Sequence, residues 1–269
     1  AGRPAPVIYI GAPCHSRKAV VILSDKTGES PRIVIKAPLG TGAAANILHE
    51  ADILSDLSKA KPGLGPRILF VNRTKGVTAQ EMIDGQPTGR DFTEAHFMLL
   101  SKLFHHGKEA SFRERASSLL DEMETMTNIS ESASSLLNRL INIIDSPVKL
   151  PAVWIHGDFA PWNIKLSGGR LTLVDWENSC PTGLPLHDIF HFHYMQSYLF
   201  NINNDPMEEI KKIYSFDKHA GMIGVDGEIY KKLALCYLGS TMLSRIKLSE
   251  KAHAAFISSK IYQIMDGIK

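Results

Sequence analysis

A chain of 269 residues with 44% hydrophobic and 22% charged content can bury a full core and is long enough for one large domain or two lobes. A formal charge of +2 without a dense Lys/Arg run excludes a nucleic-acid or anionic-membrane footprint. The lack of an apolar run of about 18 residues, or of a charged-then-apolar leader, argues against a membrane span and a signal peptide. Three widely spaced cysteines, Cys14, Cys180 and Cys236, indicate neither a disulfide framework nor a zinc site, so a cytoplasmic protein is expected. In chain order, Val7 to Ile10, Val20 to Leu23, Arg32 to Lys36 and Arg67 to Val71 are short apolar or β-branched runs between turn-rich segments, as in an antiparallel sheet. One helix interrupts them, from Ala43 to about Lys59, entered through Gly40-Thr41-Gly42 and ended by Pro62-Gly63. No Gly-Lys-Ser/Thr follows those glycines, so they do not read as a Walker loop. Beyond Gly85-Gln86-Pro87 the pattern turns helical. Asp91 with Glu94 predicts a capping box, an apolar stripe runs to Phe104, and Gly107 is the expected stop. Ser111 to Thr127, Ser130 to Asp145, Leu186 to Asn201, Asp226 to Lys247 and Ser249 to Asp266 predict further helices.

Two charges in the first third stand where apolar residues belong. On the helix after Gly42, Ile47, Glu50, Leu54 and Leu57 follow a helical stripe, which puts the Glu50 carboxylate on the buried face. In the strand Ile33-Val34-Ile35-Lys36, Lys36 shares the face of Val34. A Lys36–Glu50 pair keeps both groups ionised; the alternative is that either side chain snorkels to water.

The segment His156-Gly157-Asp158-Phe159-Ala160-Pro161-Trp162-Asn163, with Asp175 twelve residues after Asn163, carries the most information. Ile164 to Ser167 and Leu171 to Val174 read as two strands around Gly168-Gly169, a pair that accepts the positive φ of a tight hairpin. The hairpin brings Asn163 and Asp175 together at its open end with Asp158 just upstream, and such converging oxygen ligands suit Mg²⁺.

The order of Lys36, Glu50, a hinge at Gln80 to Gly85, His156-x-Asp158-x-x-x-x-Asn163 and Asp175 resembles the aminoglycoside phosphotransferase and choline kinase superfamily over nearly the whole chain. The chain departs from protein kinases in having no Arg after His156, no Asp-Phe-Gly at Asp175 and no Ala-Pro-Glu with an activation loop. The resemblance implies an α+β, bilobal, protein-kinase-like fold. Residues 1–85 would be an N-terminal nucleotide-binding lobe, a small antiparallel sheet with one helix. Residues 86–269 would be a larger, mainly helical lobe carrying the catalytic hairpin and the substrate site. It further implies an ATP- and Mg²⁺-dependent kinase that moves the γ-phosphate to a hydroxyl of a sugar, amino sugar, aminoglycoside or choline-like amino alcohol.

Each role follows from that resemblance. Asp158 would orient the attacking hydroxyl and take its proton, while Asn163 and Asp175 would hold magnesium. Lys36, positioned by Glu50, would contact the α and β phosphates, and the Gly11 to Lys18 loop with Ser16 would cover the β phosphate. Backbone groups of Glu81 and Ile83 would read adenine. His156 would orient its loop, Asp188 would brace that loop, and Trp162 and Glu177 would support the loop or the substrate. For Asp188 a helix cap, and for Trp162 a place in the core, are the alternatives. The aromatic and histidine residues from His187 to Phe200 could likewise stack on a substrate or fill the core. Nine acids against ten Lys and Arg from Cys180 to Lys269 offer no acidic cage for a polycationic antibiotic. Two other function classes remain open at this level: a nucleotide-binding pseudokinase, and a metallohydrolase built on the i, i+4 histidines of His187, His191 and His193 with nearby aspartates. The chain opens almost directly on a strand, without the leading helix often found in this superfamily, so a preceding segment or domain and an oligomer are both compatible with it.

Overall fold

The computed structural model describes residues 6–24, 31–202, 204–213, 216, 220–221 and 223–267. Ala1, on which the expectation of a preceding segment turns, lies outside them. The chain folds as two compact units: residues 1–103 with 156–181, and residues 104–155 with 182–269. These units interleave along the sequence, whereas the expected lobes are contiguous.

The first unit contains a five-stranded antiparallel sheet of β1 (Val7–Ile10), β2 (Lys18–Ser24), β3 (Pro31–Pro38), β4 (Ile68–Asn72) and β5 (Val77–Glu81), in the order β1-β2-β3-β5-β4. Strand β5 is an addition to the expected set, and it separates β3 from β4. Helix α1 (Ala43–Ala60) packs on β3, β4 and β5. It buries Ile47, Leu54 and Leu57, each worth about 1.5–3 kcal/mol by apolar burial. The same stripe carries Glu50 inward, as its spacing predicts.

A second small sheet holds the hairpin of β9 (Ile164–Ser167) and β10 (Arg170–Leu173), with the two-residue strand β6 (Gln86–Pro87) on the β9 edge. Gly168 and Gly169 both take positive φ, +56° and +78°, as a two-residue turn between Ser167 and Arg170 requires. Two bonds tie this hairpin to the chain just after α1, and a third ties α1 to the segment that follows the hairpin. Leu173 N–H donates to Leu64 O at 3.0 Å, the Arg170 guanidinium to Gly63 O at 2.9 Å, and the His49 ring meets Ser179 O at 2.8 Å.

Helix α2 (Glu94–Ser101) starts two residues later than the Asp91 box predicts. Thr93 is its cap, and the His96 ring accepts the Thr93 N–H at 3.0 Å in the role expected of Glu94. The stripe then ends early, because residues 104 to 111 leave the helix for a strand.

In the second unit β7 (Phe104–Ser111) pairs with β8 (Lys149–Ile155), two strands absent from the sequence expectation. Gly107, the predicted helix stop, takes φ +70° within β7, where the register with β8 shifts. Among the described residues its helices include α3 (Phe112–Glu124), α4 (Glu131–Ile144), α5 (His187–Leu199), α6 (Pro206–Lys211), α7 (Gly227–Lys247) and α8 (Lys251–Asp266). Ser111, Ser130 and Asp226 cap α3, α4 and α7 through their side-chain oxygens. Apart from the short α6, these helices agree with the periodicity to within two residues at most ends.

The aromatic and histidine run from His187 to Phe200 is largely core. Phe190, Phe192 and Tyr194 are fully buried, and Phe190, Tyr194, His187 and His191 all pack on Tyr237 of α7. Burial pushes the His187 imidazole down to about 3, so it is neutral at ordinary pH. Among the described residues no group of three or more His, Cys, Asp or Glu is arranged to hold a metal, so the metallohydrolase reading loses its support. No helix of the described residues is long and apolar enough to cross a membrane.

Candidate functional site

Within the first unit a row of alternating charges runs across the face of the sheet that packs on α1. Lys36 Nζ donates to both carboxylate oxygens of Glu50, at 2.7 and 2.6 Å, and to Asp175 Oδ1 at 2.8 Å. Lys18 Nζ donates to the same Asp175 oxygen at 3.1 Å and to Glu177 Oε2 at 2.7 Å. The order Glu177, Lys18, Asp175, Lys36, Glu50 therefore alternates in sign throughout. Glu50 also accepts the Trp176 N–H at 3.2 Å, so one buried carboxylate fixes both the lysine of β3 and the backbone just after Asp175.

The snorkelling alternative for this pair fails, since Lys36 is 5% and Glu50 1% exposed. Burial works against the Lys36 ammonium, but the Glu50 and Asp175 carboxylates outweigh it and hold the group above the usual lysine range. Burial likewise works against the Asp175 anion, and Lys36 and Lys18 together pull it well below the usual carboxylate range. Glu177 goes the other way: burial and the neighbouring Asp175 charge raise it, and Lys18 only partly compensates. A Lys18→Met variant is therefore expected to move the Glu177 midpoint higher still, read by carbon NMR of its carboxyl against pH. A fall, or no change, would show that Lys18 does not neutralise Glu177.

Asp175 takes φ +64°, a left-handed conformation that aspartate accepts more readily than bulkier residues. It follows the hairpin directly, and Val174 N–H closes the open end by donating to Asn163 O at 2.9 Å. Asn163, at the end of the Pro161–Asn163 turn, donates from Nδ2 to Asp158 Oδ2 at 2.8 Å and to Asp158 O at 3.0 Å. With its amide nitrogen committed to Asp158, Asn163 has its Oδ1 as the group to offer a cation.

His156 is fully buried with both nitrogens engaged. Nδ1 accepts the Asp158 N–H at 3.3 Å, so Nε2 is the protonated position and donates to Val174 O at 3.0 Å. Its ring lies edge-on to Trp176, with centroids 4.7 Å apart. An imidazole held this way shapes the loop and has no lone pair left for proton transfer. Gly157 between them takes φ +81°, and a Cβ there would collide with the Asn178 carbonyl.

A cavity of about 280 Å³ opens within this unit. Lys18, Lys36, Asn163 and Asp175 border it, and so do Trp162, Glu81 and Ile83. Trp162 is 37% exposed, so its core alternative fails. The Glu81 N–H already donates to Arg67 O, and Ile83 lies past the last strand residue. Ser16 does not line the cavity. Its loop is instead pinned to the entry of α1, where His15 Nδ1 meets Thr41 Oγ1 at 2.8 Å and His15 O accepts the Gly42 N–H at 3.0 Å. Asp188 sits buried in the first turn of α5, in the other unit, and Leu186 rather than Asp188 is that helix's cap residue. Lys18 is the site residue that the sequence reading passed over.

The chemistry of the donor set fits a hard divalent cation. An amide oxygen and a carboxylate border the cavity together, and two ammonium groups already converge on that carboxylate. Mg²⁺ keeps most of its remaining ligands as water or phosphate oxygens, so two protein donors suffice.

The profile of a phosphotransferase enzyme family matches residues 16–214. No curated protein matches the chain. A thermostable mutant of aminoglycoside phosphotransferase APH(4)-Ia in its apo form shares the fold with a TM-score of 0.66 at 11% identity, covering 97% of this chain and 94% of that one. Choline kinase LicA from Streptococcus pneumoniae does so with a TM-score of 0.63 at 13% identity, over 96% and 92% of the two chains. Macrolide 2'-phosphotransferase type I gives 0.62 at 14%, over 94% and 90%. A further APH(4)-Ia structure is a ternary complex with ADP and hygromycin B.

Proposed function

Because the chain belongs to the phosphotransferase enzyme family, we propose that it transfers the γ-phosphate of ATP, with Mg²⁺, to a hydroxyl of a small molecule such as a sugar, amino sugar, aminoglycoside or amino alcohol. The observation that carries this reading is the convergence, around one cavity, of two cations, a metal-suited carboxylate and amide, and Asp158 bonded to that amide.

Phosphoryl transfer asks the protein mainly for alignment and charge stabilisation. Lys36, held by Glu50, contacts the α and β phosphates, and Lys18 supplies a second ammonium beside it. Asn163 and Asp175 are the residues that would hold Mg²⁺, which would offset charge on the phosphate oxygens. Asp158, oriented by the Asn163 amide, receives the proton of the acceptor hydroxyl as its oxygen forms the new bond to phosphorus and the bond to the ADP oxygen breaks. His156 keeps Asp158 in place through the backbone. Trp162 offers a flat face at the cavity rim.

The intact set of Lys36, Glu50, Asp158, Asn163 and Asp175 favours this reading over a nucleotide-binding pseudokinase, which has no need of a proton acceptor. The test is ATP consumption, with mass detection of the product, across sugars, amino sugars, aminoglycosides and choline. Acceptor-dependent ADP release is expected for one class. Tight nucleotide binding with no acceptor able to stimulate turnover would instead establish the binding module.

A further inference from the structure

The glycines of Gly40-Thr41-Gly42 are unused by the mechanism above. Neither takes positive φ, and Gly42 sits at φ −96° and ψ −8°, a right-handed conformation that residues with side chains also adopt. What each lacks is room. A Cβ on Gly40 would stand 2.2 Å from the His15 carbonyl oxygen and 2.7 Å from that of Cys14, and one on Gly42 would stand 2.1 Å from His15 Nε2. The two glycines are therefore shaped around His15. Its ring meets Thr41 between them, Nδ1 to Oγ1 at 2.8 Å, and its carbonyl accepts the N–H of Gly42, the cap residue of a helix that has no side-chain cap. Two residues on, Arg17 O accepts the N–H groups of Leu39 and Gly40 at 2.9 and 2.8 Å, and Arg17 Nε donates back to Gly11 O at 2.9 Å. These bonds clasp the loop between β1 and β2 to the segment that joins β3, which carries Lys36, to α1, which carries Glu50.

Resting on the nucleotide reading above, we propose that His15 is a positioning residue for triphosphate binding and acts through Lys18. The clasped loop ends on Lys18, the first residue of β2, whose ammonium lies between Asp175 and Glu177 at the border of the cavity. Strands fray first at their ends, so a terminal residue is only as fixed as the loop that feeds it. With the clasp closed, the ammonium is in place before the phosphates arrive. With it open, part of the binding energy goes into ordering the loop, and affinity falls without the loss of any direct contact. Ser16, held in the same clasp, does not line the cavity, so the grip of this loop on the phosphates passes to Lys18.

Calorimetric binding of ATP and of inorganic tripolyphosphate to the full chain, in EDTA so that no metal contributes, tests this. His15 is exposed, so its variants are expected to fold as wild type does. His15→Ala is expected to weaken both ligands roughly tenfold. His15→Asn, whose side-chain amide can stand where Nδ1 stands, is expected to bring both back to within about threefold of wild type. In a Lys18→Met background His15→Ala is expected to weaken neither ligand further, because the residue through which it acts is gone. Gly42→Ala puts a methyl group where the ring lies, so it is expected to match His15→Ala and to add nothing to it. A His15 that served only the fold would lower the melting temperature and leave this pattern of rescue and non-additivity unmade. His15→Ala binding both ligands as wild type does overturns the proposal and leaves the nucleotide reading standing. So does an equal loss in the Lys18→Met background, which would have His15 meet the phosphates itself, and so does an affinity in His15→Asn no better than in His15→Ala. A wild-type chain that binds neither ATP nor tripolyphosphate removes the nucleotide reading and this proposal with it.

Discussion

An Asp158→Asn variant is expected to lose roughly 10²- to 10⁴-fold in acceptor-dependent turnover, the range for removing a positioned proton acceptor. Its affinity for ATP should stay near that of wild type. The substitution keeps the local geometry, because an asparagine oxygen can still accept the Asn163 Nδ2–H that now reaches Asp158 Oδ2 at 2.8 Å. What it removes is basicity, since a carboxamide cannot take up the hydroxyl proton. The measurement is single-turnover transfer at saturating ATP together with a separate nucleotide titration. Turnover within a few-fold of wild type would leave Asp158 without a proton to handle and move the chemistry elsewhere. A parallel loss of nucleotide affinity would instead make it a structural member of the loop.

Glu50→Ala is expected to destabilise the fold by about 3–5 kcal/mol, the range for removing one partner of a buried ion pair. Lys36 then keeps only Asp175, and the Trp176 N–H loses its acceptor. The damage thus spreads from α1 into the segment that carries the metal-suited carboxylate, and ATP binding should weaken along with stability. A Lys36→Met/Glu50→Leu double variant separates the two effects. Replacing a buried pair by apolar groups of similar volume is often neutral for folding, so urea denaturation should recover part of the lost stability, short of wild type because the Trp176 N–H still lacks its acceptor, while nucleotide binding stays lost. A Glu50→Ala variant as stable as wild type to within about 1 kcal/mol would reduce the pair to the worth of a surface bridge.

Much of this site could be read along the chain because its signals are local. Glu50 betrays itself by interrupting a helical stripe, and Lys36 by ending an apolar strand on the face of Val34. Gly168-Gly169 announces the turn that brings Asn163 and Asp175 together, and the structure closes that ribbon through Val174 N–H and Asn163 O. Lys18 had a weaker signal of the same kind. It lies two residues before Val20, hence on one face with it, and the pairing of Val20 with Lys36 carries it to the charged row. That inference needs the register of β2 on β3, which the turn-rich segment between them does not specify.

The strands β5, β7 and β8 were hidden for a related reason. Strand β5 is short, runs into the supposed hinge, and owes its place between β3 and β4 to partners on both sides. In β7 the sequence Phe-His-His-Gly-Lys lacks alternation, and its pairing with β8 is made with residues some forty positions away.

By itself, then, the amino-acid sequence determined most of the helices, the hairpin, the family to which the chain belongs and which charged groups are out of place, since each is written in spacings of a few residues. Only the tertiary structure decided that two lysines share one aspartate oxygen, that Glu50 also holds Trp176, and that the histidine and aromatic run is core. Those outcomes depend on which side chains meet across elements far apart in the chain, and strand order, register and packing set that, whereas local propensity does not.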